Sequence, residues 1–296
     1  MTTRPVKTLS GRELAAQIRA EVAARAAELT AAGRPPRLAV VTATADAAST
    51  SYLRSLAAAA ARAGLAFDVA DLVPADPDAA EAAVAGLEAA LTTLSEDPAT
   101  HGILLQTPLP GRARLAGLAG LIDPVKDVDG ASPTSLGRMM TGLPAFAPAT
   151  AEAVLRLLDH HGIGLSGRRA VVGRSAVVGK PVAQLLLARD ATVTVCHSRT
   201  ADLAAVTASA EVLVVAAGRP GLIGPGHLAP GAVVVDVGIN VMPDGGVAGD
   251  VDPSVAEVAG ALSPVPGGVG PVTTAVLLHH VTQAAGQAAP GPSMLR

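Results

Sequence analysis

The residues best suited to binding a phosphate lie in one loop near the middle of the chain, between Gly173 and Gly179. A short apolar run at residues 170–172 precedes this loop and is typical of a buried parallel strand. Pro181 follows the loop, where the first turn of a helix tolerates a residue without an N–H. Such a loop offers a phosphate its backbone N–H groups and the positive end of a helix dipole. Because five residues separate the two glycines, the loop does not match the GxGxxG fingerprint, and it fits either a nucleotide site or a tight turn.

The next predicted strand, residues 191–195, ends in a segment rich in basic and hydroxyl side chains. In an NAD-specific Rossmann domain an acidic residue follows this strand and binds the ribose hydroxyls. Here the strand runs into His197, Ser198 and Arg199, and no carboxylate is present. Guanidinium groups pair with phosphate oxygens two at a time, so Arg199 and Arg174 favour the 2′-phosphate of NADP. An exposed basic loop in an arginine-rich chain is the alternative.

Helices and strands alternate along the chain, and this order predicts a parallel α/β fold. Apolar runs predict further strands at residues 37–43, 66–72, 102–106, 211–217 and 232–237. Periodic or alanine-rich stretches predict helices at residues 9–32, 49–63, 76–94, 150–161 and 273–285, the first two ended by Gly33 and Gly64. The four strands of the second half indicate a compact Rossmann-like unit. Residues 121–150, rich in Pro and Gly, are predicted to connect two domains, and the last ten residues to be loose.

The composition narrows the class of protein. A chain of 296 residues suits two domains, and although 50% of them are hydrophobic, no unbroken run of about eighteen apolar residues could span a membrane. The first seven residues lack the apolar core of a signal peptide, so we expect a cytoplasmic protein. A net charge of −3 without a basic patch argues against a nucleic-acid partner. Cys196 is the only cysteine, which excludes an intramolecular disulfide and a cysteine-rich metal site, and no metal is expected.

Seven short motifs follow one another in an order that is typical of a single enzyme family. They are Gly102-Ile-Leu-Leu-Gln106 with Pro108-Leu-Pro110, Lys126-Asp-Val-Asp-Gly130, Gly173-Arg-Ser-Ala-Val-Val-Gly-Lys-Pro181, Cys196-His-Ser-Arg-Thr200, Asp236-Val-Gly-Ile-Asn240, Gly249-Asp-Val-Asp252 and Pro264-Val-Pro-Gly-Gly-Val-Gly-Pro271. With these motifs the chain resembles the methylenetetrahydrofolate dehydrogenase/cyclohydrolase family over nearly its whole length.

The resemblance implies a two-domain α/β protein with its active site in the cleft between the domains. Residues 1–146 and 272–296 would form the catalytic, folate-binding domain, and residues 147–271 a Rossmann-like NADP-binding domain that supports a homodimer. The family's dehydrogenase step moves a hydride from 5,10-methylenetetrahydrofolate to NADP. Its cyclohydrolase step then adds water to the resulting methenyl cation.

The resemblance also implies roles for individual residues. Asp129 matches the carboxylate that binds the pterin, Gln106 the polar residue beside the reacting carbon, and Tyr52 the active-site tyrosine, although Tyr52 could also be an ordinary packing residue. Further substrate-binding positions are Ser49, Pro266, Gly267 and Gly268. The cofactor-binding positions are Gly173, Arg174, Ser175, Gly179, His197, Ser198, Arg199, Gly218 and Ile239.

One position departs from the family pattern. A family lysine follows the tyrosine by four residues, on the same face of a helix, and here that position is Leu56. A lysine can tune proton transfer and help water add to the methenyl carbon, whereas leucine offers neither charge nor proton. Further differences from the family surround the same pocket, at residues 42–46, 131–132, 149 and 151. We therefore expect hydride transfer to be retained and cyclohydrolase activity to be weak or lost.

Two other interpretations fit the altered pocket. The chain could be an NADP-dependent oxidoreductase of the same fold that acts on another substrate, such as a specialised imine or amine. It could also be a non-catalytic paralogue that binds a ligand, although a loss of catalysis without selection would be expected to erode the phosphate loop too.

Overall fold

The computed structural model describes residues 5–74 and 79–286 and divides them into two compact units. Residues 5–16 and 150–273 form one, which we call the six-strand unit, and residues 17–149 and 274–286 form the other, the three-strand unit. The predicted start of the third helix at Asp76 and the last ten residues lie outside the described ranges. Within those ranges no helix combines the length and the apolar character needed to cross a bilayer.

The secondary structure of the described residues alternates between strands and helices. The helices are α1 (Arg12–Ala31), α2 (Ala47–Arg62), α3 (Ala80–Glu96), α4 (Leu115–Ala119), α5 (Pro133–Met140), α6 (Ala149–His160), α7 (Gly179–Leu187), α8 (Leu203–Ala208) and α9 (Val269–Ala285). The strands are β1 (Lys7–Thr8), β2 (Arg37–Thr42), β3 (Ala66–Asp71), β4 (Gly102–Leu105), β5 (Arg169–Gly173), β6 (Thr192–Cys196), β7 (Val212–Val215), β8 (Val233–Asp236), β9 (Asn240–Val241), β10 (Val247–Ala248) and β11 (Ala261–Leu262).

The three-strand unit is built on a parallel sheet in the order β3-β2-β4. Leu38 of β2 lies opposite Phe67 on one side and Gly102 on the other, so β2 is the central strand. All four residues of β4 are buried, which is typical of parallel strands covered on both faces. Leu87 and Leu91 of α3 pack into the core on this sheet.

Local signals set the ends of the first helices in this unit. Gly33 and Gly64, the predicted stops, both have φ of +76°, a conformation that side chains with a Cβ rarely adopt. Helix α2 begins two residues before the predicted position, because the Asp46 side chain accepts the N–H groups of Ala48 and Ser49 and caps the helix there.

Residues 121–149 are not a connection between the units, as predicted, but part of the three-strand unit. They include helix α5, which the sequence analysis missed. The Ser132 hydroxyl caps this helix by accepting the N–H of Ser135, and Pro133 occupies the first turn. The Pro and Gly content that indicated a linker therefore reflects a helix start and tight turns.

The six-strand unit contains a parallel sheet in the order β1-β11-β8-β7-β5-β6. From β5 the chain moves to β6 on one side and then to β7 and β8 on the other, so the strand order reverses at β5. Ligands of open α/β sheets bind outside the carboxyl ends of the strands at such a reversal. Val171, Leu213 and Val234 form part of the core of this sheet.

The amino-terminal residues were placed in the wrong unit by the prediction. Lys7 pairs with Ala261 and Thr8 with Leu262, so β1 is the edge strand of the six-strand sheet. A two-residue strand with both residues exposed carries no sequence pattern that could reveal this pairing. The other observed division points, 149/150 and 273/274, fall three and two residues after the predicted ones.

Candidate active site

A cavity of about 360 Å³ lies at the carboxyl ends of β5, β6 and β7 in the six-strand unit. This is the edge where the strand order reverses, and it is where a ligand is expected. Five of the predicted cofactor-binding residues line the cavity: Gly173, Arg174, Ser175, His197 and Ser198. The other four, Gly179, Arg199, Gly218 and Ile239, do not line it.

The loop after β5 is held by close backbone packing. A side chain at Gly179 would collide with the carbonyl oxygen of Gly173, so only glycine allows α7 to begin directly against the end of β5. The Ser175 hydroxyl accepts the N–H of Gly179 at 2.8 Å. Gly179 therefore shapes the predicted phosphate loop without lining the cavity.

The segment after β6 presents polar groups to the same cavity. The His197 N–H donates to the Thr200 hydroxyl at 2.9 Å, and the Arg199 N–H donates to His197 Nδ1 at 3.1 Å. Because Nδ1 accepts, the proton of a neutral His197 ring lies on Nε2. Arg199 itself is exposed beside the cavity rather than on its wall.

Arg219 lines the cavity and was missed by the sequence analysis. It follows β7, and the Asp250 carboxylate orders its segment by accepting the consecutive N–H groups of residues 217–219. Asp250 is fully buried, and the buried Asp236 carboxylate in turn accepts the Asp250 N–H at 3.1 Å. Burial raises the pKa of Asp236. The sequence contains two signals that could have indicated Arg219, namely the turn after β7 and the distant Asp250 carboxylate. Their contact forms only in the folded chain, so the sequence could not show it.

The cavity wall suits an anionic ligand with an apolar part. Arg174 and Arg219 line it together with hydroxyl and aliphatic residues, and no Asp or Glu is among the described residues of the wall. Guanidinium groups recognise phosphate well. No group of three or more His, Cys, Asp or Glu that could hold a metal occurs within the described ranges.

Gln106 lies immediately after β4 in the three-strand unit and is 6% exposed. Its Nε2 donates to the Ser49 carbonyl oxygen at 2.8 Å. A carbonyl oxygen can only accept, so this contact fixes the orientation of the amide. The remaining atom, Oε1, is buried and has no hydrogen-bond partner among the described residues. An unpaired buried acceptor costs about 1–3 kcal/mol, so a ligand donor at this point is favoured.

Tyr52 and Leu56 lie one turn apart on α2, after Ser49, whose hydroxyl donates to the Thr107 carbonyl oxygen at 3.1 Å. Tyr52 is 37% exposed, and the pKa of its phenol is raised, first by partial burial and second by the Asp129 carboxylate. Its hydroxyl therefore keeps its proton at neutral pH. Leu56, at the position where the sequence predicts a departure from a family lysine, is fully buried and packed in the core.

Asp129 lies in a tightly held loop of the same unit. Burial, and then the neighbouring Asp127, raise its pKa to about 7. Asp127 is itself buried and accepts the N–H groups of Ala131 at 3.0 Å and Ser132 at 2.9 Å. Gly130 has φ of +59° and abuts the Phe146–Pro148 backbone, so a side chain does not fit there. The loop thus presents Asp129 close enough to Tyr52 for the carboxylate charge to raise the pKa of the phenol.

Lys126 opens the motif that contains Asp129, but it has a structural role. Its ammonium group donates to the carbonyl oxygens of Leu94, Ser95 and Asp97 at the end of α3. A cation at the carboxyl end of a helix stabilises the exposed carbonyl groups.

The predicted substrate-binding residues are not all in one unit. Ser49, Tyr52, Gln106 and Asp129 belong to the three-strand unit, whereas residues 266–268 belong to the six-strand unit. Gly267 has φ of +109°, and its carbonyl oxygen accepts the Gly11 N–H at 2.9 Å. A Cβ on Gly268 would lie 2.6 Å from the Pro264 oxygen. The turn therefore needs glycine at both positions. A role of Pro266, Gly267 and Gly268 in binding substrate stays a prediction.

Two family models match the chain. The catalytic domain of tetrahydrofolate dehydrogenase/cyclohydrolase matches residues 9–129, and the NAD(P)-binding domain of the same enzymes matches residues 148–289. The chain belongs to this family. The first match contains Tyr52, Gln106 and Asp129, and the second contains the whole loop from Gly173 to Gly179.

Individual proteins agree with the family assignment. The bifunctional protein FolD 1 of Saccharopolyspora erythraea is 59% identical over 290 residues, covering 97% of each chain. The crystal structure of the bifunctional dehydrogenase/cyclohydrolase FolD from Campylobacter jejuni has a TM-score of 0.87 and 36% identity, covering 95% of this chain and 99% of that one. The Trypanosoma brucei FolD, solved with NADP and an inhibitor, has a TM-score of 0.87 and 34% identity over 96% and 99%. The predicted family resemblance and two-domain α/β fold are confirmed.

Proposed function

We propose that this protein oxidises 5,10-methylenetetrahydrofolate to 5,10-methenyltetrahydrofolate, with NADP as the hydride acceptor. The observation that carries the proposal is the buried Oε1 of Gln106, an acceptor to which none of the described residues donates, in the unit that also holds Tyr52 and Asp129. Relatives that align over nearly their whole length are bifunctional FolD proteins, which supports the same reaction.

The three-strand unit supplies the groups that would bind the folate. The ionised Asp129 carboxylate accepts the N–H groups on the donor edge of the pterin ring. Gln106 is fixed by Ser49 and offers Oε1 to a donor near the reacting carbon. Tyr52 keeps a protonated hydroxyl that can donate to the substrate. These groups orient the methylene carbon, which is the main requirement of a hydride transfer.

The cavity of the six-strand unit fits NADP. When bound, NADP accepts the hydride that leaves the methylene carbon. Arg174 and Arg219 offer guanidinium groups to its phosphates, and Ser175 and Ser198 offer hydroxyls. The lack of a carboxylate on the described wall of the cavity supports NADP over NAD.

Initial rates of cofactor reduction with 5,10-methylenetetrahydrofolate test this proposal. We expect NADPH to form, with a kcat/KM for NADP at least about tenfold above that for NAD, because one charge-assisted phosphate contact contributes about 1.5–3 kcal/mol. Equal use of NAD would contradict the assignment of the cofactor. NADP binding without any reduction would favour the alternative of a different imine or amine substrate.

We also propose that the cyclohydrolase step is weak in this protein. Leu56 is fully buried, and it occupies the position from which a family lysine would serve the reaction. A long side chain on a helix points back toward the amino end, so a lysine at position 56 would reach toward Tyr52. Without that ammonium group, the addition of water to the methenyl cation has lost an acid–base group worth about 10²–10⁴-fold.

Leu56→Lys is expected to restore hydrolysis of added methenyltetrahydrofolate by up to that factor, with little change in the rate of NADPH formation. Leu56→Met, which also places an unbranched side chain there but has no ammonium group, is the matched control and should behave like the wild type. Because a lysine at a fully buried position lowers stability, both variants are checked by thermal unfolding. A wild-type protein that hydrolyses methenyltetrahydrofolate as fast as it makes NADPH would refute this proposal.

We further propose a homodimer formed through the six-strand unit. Ile239, Val241 and Val247, in and beside the β9–β10 hairpin, are 66%, 58% and 40% exposed, which is typical of a surface that meets another protein. A cytoplasmic location stays a prediction of the sequence.

A further inference from the structure

His280 is a buried histidine whose place in the reaction is not assigned by the family motifs. It lies on α9 and is 2% exposed, with its ring centroid 4.7 Å from that of Phe146. Its Nδ1 lies 2.8 Å from the carbonyl oxygen of Val128. Since a carbonyl oxygen can only accept, Nδ1 carries a proton and donates it to this bond.

This hydrogen bond acts on the peptide that leads directly into Asp129. On the other side of Asp129, Gly130 is packed against the Phe146–Pro148 backbone. The loop is therefore fixed on both sides of the carboxylate, by His280 before it and by Gly130 after it.

The groups around Asp129 shift its pKa in opposite directions. Burial and the Asp127 carboxylate raise the pKa of Asp129, whereas His280 and the Ala149 N–H lower it. Tyr52 also interacts with Asp129, but it is neutral at physiological pH, and its raised pKa keeps it so. Among the side chains that act on Asp129, His280 is thus the one that favours the ionised form.

We infer that His280 is a positioning residue that fixes the Val128–Asp129 peptide and so places the Asp129 carboxylate for binding the pterin ring. The inference rests on the proposed function, in which Asp129 binds the donor edge of the pterin. His280 acts through Asp129 and makes no contact with the reacting atoms in this scheme.

Two substitutions separate the hydrogen bond from the bulk of the ring. His280→Asn keeps an N–H donor at the same number of bonds from Cα as Nδ1, whereas His280→Leu removes the donor and leaves the Val128 oxygen unpaired. At pH 8.5, where Asp129 is ionised, we expect His280→Leu to raise the KM for 5,10-methylenetetrahydrofolate about tenfold and His280→Asn less than about threefold. The kcat and the Kd for NADP should stay within about twofold of the wild type in both.

The matched control is His101→Leu. His101 is a partly buried histidine that precedes β4, at the end of the strand opposite Gln106, and it should leave the KM for the folate unchanged. Thermal unfolding confirms that each variant is folded. An unchanged KM in His280→Leu, or an equal rise in His280→Asn, would overturn the inference in favour of a packing role.

A titration that needs no turnover tests the link between the two side chains directly. In protein labelled with ¹³C at the aspartate carboxyl carbons, the Asp129 signal is identified by its loss in Asp129→Asn. We expect the pKa of Asp129 to be higher in both His280 variants than in the wild type, and unchanged in His101→Leu. An unchanged titration refutes the charge interaction. A protein that shows the expected titration but does not oxidise the folate would disprove the proposed function instead.

Discussion

Two residues of the candidate folate site, Gln106 and Asp129, differ from ordinary core residues in the state of their polar groups. Gln106 uses its Nε2 on Ser49 but leaves Oε1 buried and unpaired among the described residues. Asp129 has a pKa raised to about 7, against about 4 for an ordinary carboxyl. Core packing alone would favour apolar side chains at both positions. Under the proposed function, donors of the folate would pair with both groups.

The raised pKa of Asp129 predicts how substrate binding depends on pH. The ionised carboxylate accepts the pterin N–H groups more strongly, so the KM for 5,10-methylenetetrahydrofolate should fall as the pH rises through about 7 and level off above it. In Asp129→Asn the KM should be about 10–100-fold higher at pH 8 and nearly independent of pH. Asp123→Asn, at an exposed carboxylate of the same unit, is the control. A wild-type KM that rises with pH in this range would exclude the ionised carboxylate as the binding form.

The same pKa predicts a change in stability. A carboxyl whose pKa is higher in the folded than in the unfolded state stabilises the fold fully below about pH 4, and this contribution is lost as the pH rises through about 7. Asparagine is neutral throughout. The melting temperature of Asp129→Asn, relative to the wild type, should therefore be higher at pH 8 than at pH 5, which calorimetry at the two pH values checks. An equal difference in melting temperature at the two pH values would contradict a raised pKa of Asp129.

Among the helices and strands, the sequence correctly predicted several features that are set by local sequence patterns. The buried strands β2, β4, β7 and β8 are continuous apolar runs, and the stops at Gly33 and Gly64 follow from backbone conformation. Two features that it did not predict depend on distant contacts. Strand β1 is defined by its partner β11, and Arg219 reaches the cavity wall because Asp250, thirty-one residues later, orders its loop. That Leu56 departs from the family stays a prediction, and its complete burial could be seen only in the fold.

The junction of β5 and α7 gives a test of the phosphate loop. A methyl group at Gly179 would displace the Gly173 carbonyl, so Gly179→Ala should raise the Kd for NADP more than about tenfold and lower the free energy of unfolding by about 1–3 kcal/mol. Gly164→Ala in the same unit, where a Cβ meets nothing within 4 Å, should change neither quantity measurably. Calorimetric titration with NADP measures the affinity. Unaltered NADP binding by Gly179→Ala would show that the cofactor does not use this loop.

For the whole molecule, the two units divide the chemistry between them. The three-strand unit carries Tyr52, Gln106 and Asp129, and the six-strand unit carries the cavity that fits NADP. The family match extends through both units, so both parts of the family framework are present in this chain. Under the proposed function, we therefore expect the cyclohydrolase step to be altered and the fold of the two units to be retained.

The proposed homodimer makes a separate prediction at this scale. Val241→Asp puts a charge on the exposed hairpin of the six-strand unit, where burial against a second copy would be costly. Sedimentation equilibrium should show a dimer for the wild type and a monomer for the variant. The matched control, Val69→Asp, changes an exposed valine of β3 in the other unit and should leave the dimer intact. A monomeric wild type would contradict the proposal.

The central claim is that this protein oxidises methylenetetrahydrofolate but scarcely hydrolyses the product. The most direct measurement follows NADPH, methenyltetrahydrofolate and 10-formyltetrahydrofolate in one reaction of the wild-type protein, separated by chromatography and corrected for spontaneous hydrolysis without protein. We predict that NADPH and methenyltetrahydrofolate accumulate in equal amounts, with 10-formyltetrahydrofolate forming no faster than in the blank. Formation of 10-formyltetrahydrofolate in step with NADPH, or no NADPH at all, would contradict the claim.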